Sequence, residues 1–321
     1  MNKTIINAFP NAGLALRLVI GWTYFSAFWR RLILENKLDP EVPGYIGEKF
    51  NHFLPNALFI KPLIEYLVSN PEILLTKMWI FTIVEGLVGL FLMVGFKTRI
   101  NSLIIMSLAL GILLGSGWIG TTCLDEWQIG ILGIAGGFTL FQLGGGKISI
   151  DGLSKNFVLN ETKFNDKLNL KFYTAILVIS FLIFGLTLYT NQVFHGGVYG
   201  ELHNKSVKPK LEITNLKQDK NQVSFDVMRI EGADVYGSFL IRIDFFDQHG
   251  NNVKSLDMED LRKFDKQQIK NYYVAKIKPH KHSLLLPLGA KANLSFEIDQ
   301  SIQEIILTDI SGISWKATMQ K

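Results

Sequence analysis

Residues 74–96 read LLTKMWIFTIVEGLVGLFLMVGF, and this stretch decides the class of fold. It is apolar almost throughout, with Lys77 near one end and Glu85 near the middle. A helix that spans a bilayer needs about 20 predominantly apolar residues. The stretch is therefore predicted to be a membrane-spanning helix. A carboxylate inside such a helix is costly, so Glu85 becomes a candidate functional group.

Four further stretches have the same apolar character, which makes buried core helices of a soluble protein a poor alternative. The first of them is too long for the apolar region of a signal peptide and is not followed by a small-x-small cleavage site, so it is predicted to be a retained helix. Glycines are frequent in three of the five segments, as in spanning helices that pack closely. The four further segments are residues 12–34, 100–121, 127–143 and 172–190.

Composition points to two unlike parts. The chain has 321 residues, of which 48% are hydrophobic and 19% charged, and soluble domains average about 25% charged residues. Mean hydropathy is only +0.22, because the value averages an apolar N-terminal part with a polar part after residue 195. The many apolar residues exclude a disordered chain, and the single cysteine excludes a disulfide scaffold.

The net charge of +5 reflects membrane topology better than nucleic-acid binding, because the basic residues form no arm or stripe with interleaved aromatic residues. Short loops rich in Lys and Arg stay in the cytoplasm. The sequence thus predicts a multi-pass protein of the cell membrane, with a cytoplasmic N-terminus and an extracytoplasmic C-terminal domain. The basic residues of the two predicted cytoplasmic loops are Lys97, Arg99, Lys147, Lys155, Lys163, Lys167 and Lys171.

Arg30 and Arg31 break this charge rule, because they lie at the outer end of the first segment. Adjacent residues point about 100° apart on a helix, so at least one of the two should face the bundle or the outer loop. Guanidinium groups bind oxyanions through several donors. Anion binding is the favoured interpretation, and snorkelling to the membrane interface is the alternative.

The region after the last apolar segment has the pattern of an all-β domain. Short runs such as residues 222–227, 237–246 and 293–298 alternate apolar and polar side chains, and turn signals separate them. The predicted fold is an α-helical membrane bundle of about five transmembrane helices followed by an immunoglobulin-like β-sandwich. Residues 1–194, with an outer loop at 35–73, form the first predicted domain and residues 195–321 the second. Within the loop, residues 57–68 suit a short interfacial or re-entrant helix.

Two charged side chains lie away from the ends of the apolar segments, Arg17 and Glu85. One interpretation is a mutual ion pair, and another makes Glu85 a proton relay; both can hold together. Cys123 lies at the predicted outer mouth of the third segment, as a small packing residue or a reactive thiol. The tryptophans near the helix ends form an interfacial belt, and Trp118 and Trp127, which flank the cysteine, could also line a ring-binding cleft.

Three local patterns carry a family resemblance. They are LRLVIGW at 16–22 with FWRR at 28–31, the Glu-Gly pair at 85–86, and GWIGTTCLDEWQ at 117–128. Together they resemble DoxD, a member of the DoxX-related membrane proteins, and the part after the last helix looks like DoxA. The whole chain thus resembles a DoxD–DoxA fusion of the thiosulfate:quinone oxidoreductase family.

The resemblance implies that two thiosulfates are oxidised to tetrathionate and that two electrons enter the membrane quinone pool. A non-covalent quinone is the expected redox cofactor, without metal, flavin or haem, and a homo-oligomer is possible. We predict three groups of site residues. Catalytic residues are Cys123, Glu85, Asp125 and Glu126; substrate-binding residues are Arg30, Arg31 and Arg17; quinone-binding residues are Trp118, Trp127 and Trp29.

Two alternatives remain open from the sequence. DoxX-like proteins often accompany other redox proteins, so the chain could be a non-catalytic membrane partner. An oxyanion transporter is the other alternative, although transporters usually contain internal repeats and the apolar segments show none.

Overall fold

A computed structural model describes residues 11–120, 125–153, 166–233 and 238–319. The chain forms two compact units, each assembled from separate stretches of sequence. The helical unit contains residues 1–42, 77–117 and 125–203, and the β unit contains residues 43–76, 118–124 and 204–321.

Each of the five predicted apolar segments contains one long helix, so the helical bundle is confirmed. Three described helices are long and apolar enough to cross a membrane: Pro71–Val94, Thr98–Ser116 and Lys171–His195. The first predicted span is an α-helix of only 15 residues that continues as a π-helix, Trp29–Leu34. The described helices are α1 Leu14–Phe28, α2 Ile46–His52, α3 Lys61–Ser69, α4 Pro71–Val94, α5 Thr98–Ser116, α6 Asp125–Leu143, α7 Ile150–Leu153, α8 Asp166–His195 and α9 Met258–Arg262.

Glycines bring α5 and α6 close together. A Cβ atom added to Gly130 would lie 2.8 Å from the Cβ of Leu113, and one added to Gly133 would lie 2.8 Å from the Cβ of Ala109. Contacts this short mean that only glycine fits at these positions without a shift of the neighbouring helix. The prediction that the glycines serve close helix packing is therefore confirmed for this pair.

The β unit contains two antiparallel sheets, which confirms the predicted all-β domain. One sheet has the order β1-β2-β8-β5; the other has the order β10-β9-β3-β7-β6, with β4 also paired to β3. The runs predicted at 222–227, 237–246 and 293–298 became β2, β3 and β8, and the four short strands β4 to β7 were missed. The strands are β1 Lys210–Asp219, β2 Gln222–Glu231, β3 Ser238–Phe246, β4 Asn252–Leu256, β5 Ile269–Asn271, β6 Lys278–Pro279, β7 Leu284–Leu286, β8 Lys291–Glu297, β9 Glu304–Asp309 and β10 Ser314–Thr318.

Residues 43–76 pack on the strands of the β unit. The side chain of Asn51 is fully buried and donates from Nδ2 to the Gly289 carbonyl at 2.8 Å. The Tyr273 hydroxyl donates to Oε1 of Glu65 on α3 at 2.7 Å. The short helix expected within residues 57–68 is present as α3, and its buried side chains belong to the β unit.

A carboxylate network ties β1, β2 and β8 together. The Asp226 carboxylate accepts hydrogen bonds from Asn215 at 2.7 Å, Asn293 at 2.8 Å and the Tyr272 hydroxyl at 3.1 Å. Burial by itself raises the pKa of Asp226, but the hydrogen bonds and the charge of Lys291 outweigh it. The net pKa is therefore held below its usual value of 3.8.

Asp226→Asn is expected to destabilise the β unit by about 2 kcal/mol near neutral pH, because hydrogen bonds to a charged acceptor are lost. A carboxyl with a lowered folded-state pKa stabilises the fold above its unfolded pKa, and this contribution disappears as pH falls through the folded value. Thermal denaturation of both proteins from about pH 7 to about pH 3 should show the difference shrinking. The exposed Asp219→Asn variant is the control, and a difference that stays constant with pH would contradict the assignment.

Candidate functional site

A buried ion pair joins α4 to the π-helix that follows α1. Nη1 of Arg31 lies 2.7 Å from Oε2 of Glu85, and the two side chains are 15% and 5% exposed. The same nitrogen donates to Oγ1 of Thr82 at 3.1 Å. Thr82 and Glu85 are three residues apart and so lie on one face of α4. Arg31 therefore faces the bundle, as predicted for at least one of the two adjacent arginines.

The π-helix Trp29–Leu34 carries both arginines. A π-helix has a wider turn than an α-helix, and single π turns are frequent at functional sites. The extra residue per turn changes the direction in which later side chains point. No residue in WRRLIL gave a sequence signal for this turn, because its apolar and basic composition suits an α-helix equally well.

Glycines in α4 allow α1 and α4 to pack closely beside the ion pair. A Cβ atom on Gly86 would lie 2.5 Å from Cγ of Phe28, and one on Gly89 would lie 2.5 Å from the backbone nitrogen of Phe25. The Glu-Gly pair quoted from the sequence thus has a physical reason: the carboxylate is carried by a residue whose neighbour must lack a side chain.

Tyr24 adds a polar group that sequence reasoning missed. It is 4% exposed, and among the described residues its hydroxyl has no hydrogen-bond partner. Buried hydroxyls nearly always have one. A Cβ atom on Gly133 would lie 3.2 Å from this hydroxyl, so small side-chain volume leaves the oxygen facing α6. The signal available in the sequence was the spacing of seven residues from Tyr24 to Arg31, two helical turns on one face.

The prediction of an ion pair between Arg17 and Glu85 is wrong. Arg17 donates instead to the carbonyls of Gly145 and Ile148, the latter at 2.6 Å, while Glu85 pairs with Arg31. Arg17 precedes Arg31 by fourteen residues, which corresponds to about 21 Å along a helix. The two side chains therefore do not come together in one anion site.

Arg30 is not part of the ion pair, although its charge also acts on Glu85. Its side chain is exposed, and its Nε donates to the Ser26 carbonyl at 3.3 Å. The two arginines thus divide into an exposed cation and a buried one. Arg30 is available to an incoming anion, whereas Arg31 already has a carboxylate partner.

The three predicted quinone-binding tryptophans have different environments. Trp29 is 42% exposed, with its ring centroid 6.0 Å from that of Phe25. Trp127 is partly buried and donates from Nε1 to the Thr190 hydroxyl at 3.0 Å. Trp118 belongs to the β unit, has no exposed surface, and donates to the Phe53 carbonyl at 3.2 Å. Trp118 therefore presents no face to a ligand.

The remaining predicted catalytic residues lie at the start of α6. Cys123 lies outside the described residues, and Asp125 is described only as the first residue of the helix. Glu126 is partly buried in the first turn. Within the described ranges, no group of three or more His, Cys, Asp and Glu side chains is arranged to hold a metal ion.

His195 is a second buried group that the sequence analysis did not single out. It ends α8, is 2% exposed, and places Nε2 2.9 Å from the Gly117 carbonyl. A carbonyl only accepts, so Nε2 carries the proton. The other ring nitrogen, Nδ1, has no partner within the described part of the chain.

Spanning helices, a buried ion pair between them and an attached β-sandwich define a two-part integral membrane protein. Residues 13–183 match the family described as TQO small subunit DoxD, and residues 194–318 match the family described as TQO small subunit DoxA. The chain belongs to the DoxD family and carries a DoxA part in tandem, which confirms the resemblance and supports a function of the thiosulfate:quinone oxidoreductase (TQO) type. No solved structure matches the chain.

Proposed function

We propose that the protein oxidises two thiosulfate ions to tetrathionate and transfers the two electrons to membrane quinone. The observation that carries the proposal is the buried Arg31–Glu85 pair in a chain that matches both TQO subunit families. The pair supplies a cation for the anionic substrate and a proton-carrying carboxylate for the acceptor, and these are the two groups that the coupled reaction needs.

Arg30 is the proposed first contact for thiosulfate, because it is the exposed member of the arginine pair. Arg31 is less exposed and is partly neutralised by Glu85 at 2.7 Å. A dianion that reaches Arg31 competes with the carboxylate for the same guanidinium. Substrate binding is thereby coupled to the state of Glu85.

Glu85 is the proposed proton carrier. Reduction of a quinone to a quinol takes up two electrons and two protons, and a proton must reach the ring in a region that excludes water. Glu85 is 4% exposed. Its partner Arg31 also donates a hydrogen bond to the Thr82 hydroxyl. The hydroxyl of Tyr24, which has no hydrogen-bond partner among the described residues, gives the same bundle a further donor suited to a quinone oxygen.

The proposed binding place of the quinone is the apolar surface beside Trp29. Trp29 and Phe25 present neighbouring aromatic rings on a helix whose outer surface is apolar, and a lipid-soluble ring could reach them from the bilayer. Trp127 remains a proposed contact through its partly buried ring. The buried Trp118 is better assigned to the packing of the β unit.

Cys123 is the proposed sulfur carrier. The thiolate and one thiosulfate form an S–S bond and release two electrons to quinone, leaving a Cys–S–S–SO₃⁻ adduct. A second thiosulfate then attacks the adduct at the sulfur atom that is bonded to the cysteine sulfur. Tetrathionate leaves, and the cysteine thiolate is regenerated. Asp125 and Glu126 lie close by in sequence and are proposed to exchange protons during this cycle.

Cys123→Ser is expected to reduce turnover at least 100-fold, because an alcohol does not form the sulfur–sulfur bond. The measurement is thiosulfate-dependent quinone reduction by the purified variant, together with mass spectrometry of the wild-type protein after incubation with thiosulfate and quinone. Unchanged turnover in the variant would eliminate the covalent step while leaving the overall reaction in place.

The overall reaction is tested with detergent-purified protein, thiosulfate and a water-soluble quinone analogue. We expect quinone absorbance to fall only when thiosulfate is present, with one tetrathionate formed for each quinone reduced. A protein that is folded and retains its lipids but reduces no quinone would contradict the proposal and would favour a non-catalytic partner. Uptake of labelled thiosulfate into liposomes without oxidation would favour a transporter.

A further inference from the structure

An apolar groove on the helical unit contains a single charged side chain. The groove has a volume of about 430 Å³ and lies between the start of α1, the end of α4 and the segment around α7. Seven of its nine lining residues are aliphatic or methionine, and Arg17 is the charged one. Several of the aliphatic residues at its edge are well exposed, including Ile148 at 59% and Leu153 at 80%.

Arg17 is buried and forms no direct ion pair with any described residue. Its side chain is 3% exposed, and its two hydrogen bonds go to the neutral carbonyls of Gly145 and Ile148. These bonds use two of the five N–H donors of a guanidinium, and Nε has no partner among the described residues. No carboxylate in the described part of the chain forms an ion pair with Arg17.

Asp151 attracts Arg17 through its charge but makes no direct ion pair with it. Each oxygen of Asp151 accepts one hydrogen bond at the start of α5, from the backbone nitrogens of Lys97 at 2.7 Å and Thr98 at 2.8 Å. A buried cation without a paired anion is unfavourable. The attraction of Asp151 is not a direct ion pair, and the unpartnered Nε of Arg17 leaves the guanidinium able to bind an anion from outside the chain.

The surroundings of Arg17 select the kind of anion. A small inorganic dianion would lose its hydration in an aliphatic groove and would regain few hydrogen bonds there. An amphiphile places its charged group on Arg17 and its chain on the aliphatic walls. Lys97 and Lys147 lie in the segments that border the groove, and basic clusters of this kind attract anionic lipid headgroups.

We propose that this groove binds an anionic phospholipid, with the phosphate held by Arg17 and one acyl chain lying along Leu18, Val94 and Ile150. The site is independent of the oxidation reaction and gives Arg17 a role other than substrate binding. The bound lipid would complete the charge balance where α1, α4 and α7 meet.

The test uses delipidated full-length protein in detergent, with thermal denaturation as the readout. Phosphatidylglycerol at about a hundred times its dissociation constant is expected to raise the unfolding midpoint by about 5 °C or more. Phosphatidylcholine with the same acyl chains should have little effect. Native mass spectrometry should show phosphatidylglycerol retained by the protein.

Variants locate the site. Arg17→Gln is expected to abolish the shift of the unfolding midpoint. Leu153→Glu keeps Arg17 and changes only an exposed position. It is expected to weaken binding about tenfold, because it places a negative charge at the edge of the groove. Ile100→Glu, also at an exposed aliphatic position but outside the groove, is the matched control and should bind normally. The proposal is overturned if inorganic phosphate or a neutral quinone analogue alone gives the same shift, or if Leu153→Glu binds like the wild type.

Discussion

Glu85→Gln is expected to lower kcat about 100-fold and, at the same time, to lower the KM for thiosulfate. The loss of kcat follows from removing a proton carrier, since general acid–base groups contribute about 10²- to 10⁴-fold. The lower KM follows because Arg31, which now lies 2.7 Å from the carboxylate, would be released to bind the substrate anion. The measurement is steady-state quinone reduction over a range of thiosulfate concentrations.

The control for this prediction is Glu72→Gln, which changes an exposed carboxylate in the first turn of the same helix. It should leave both constants unchanged. If Glu85→Gln raised KM, Arg31 would not be an anion-binding group. If kcat were unchanged, the proton would travel by another route, and Asp125 and Glu126 would be the next residues to replace.

Arg31→Ala is expected to destabilise the helical unit by about 3–5 kcal/mol, because it leaves the Glu85 carboxylate buried without its cation. For a unit of this size the thermal midpoint should fall by about 10 °C. Arg30→Ala is the matched control: it removes an adjacent but exposed arginine, so stability should hardly change while the KM for thiosulfate rises.

A double variant separates stability from activity at the same pair. Replacing Arg31 with Met and Glu85 with Leu removes both charges, and such replacements of buried pairs are often neutral or stabilising. The double variant should therefore regain the thermal midpoint lost in Arg31→Ala but remain inactive. Recovery of activity together with stability would mean that the pair serves only to hold α1 and α4 together.

Much of the fold was predictable because its signals are local. The uniformly apolar run at 74–96 and the alternating run at 222–227 each show their pattern within one short stretch of sequence, and both became the elements expected. The short strand Leu284–Leu286 was missed because three residues are too few to establish a period.

The candidate site was only partly predictable. Glu85 was named as a candidate from the cost of a charge in an apolar segment, and Arg31 from its position on the side that the positive-inside rule disfavours. Their mutual pairing was not predicted. Arg17 and Arg31 are both basic residues of the first apolar segment, and their positions in the sequence do not show which of them reaches Glu85. Their separation along the helix and the π-helix at Trp29–Leu34 decide which one reaches Glu85.

The sequence by itself determined that the chain has apolar helices followed by an antiparallel β region, and its motifs determined the family. Tertiary structure alone decided that residues 43–76 pack with the β unit, that Glu85 pairs with Arg31, and that Arg17 lines an apolar groove. Hydrophobic periodicity is a property of neighbouring residues, so it can be read along the chain. Pairing and burial of charges depend on residues far apart in sequence, which only packing brings together.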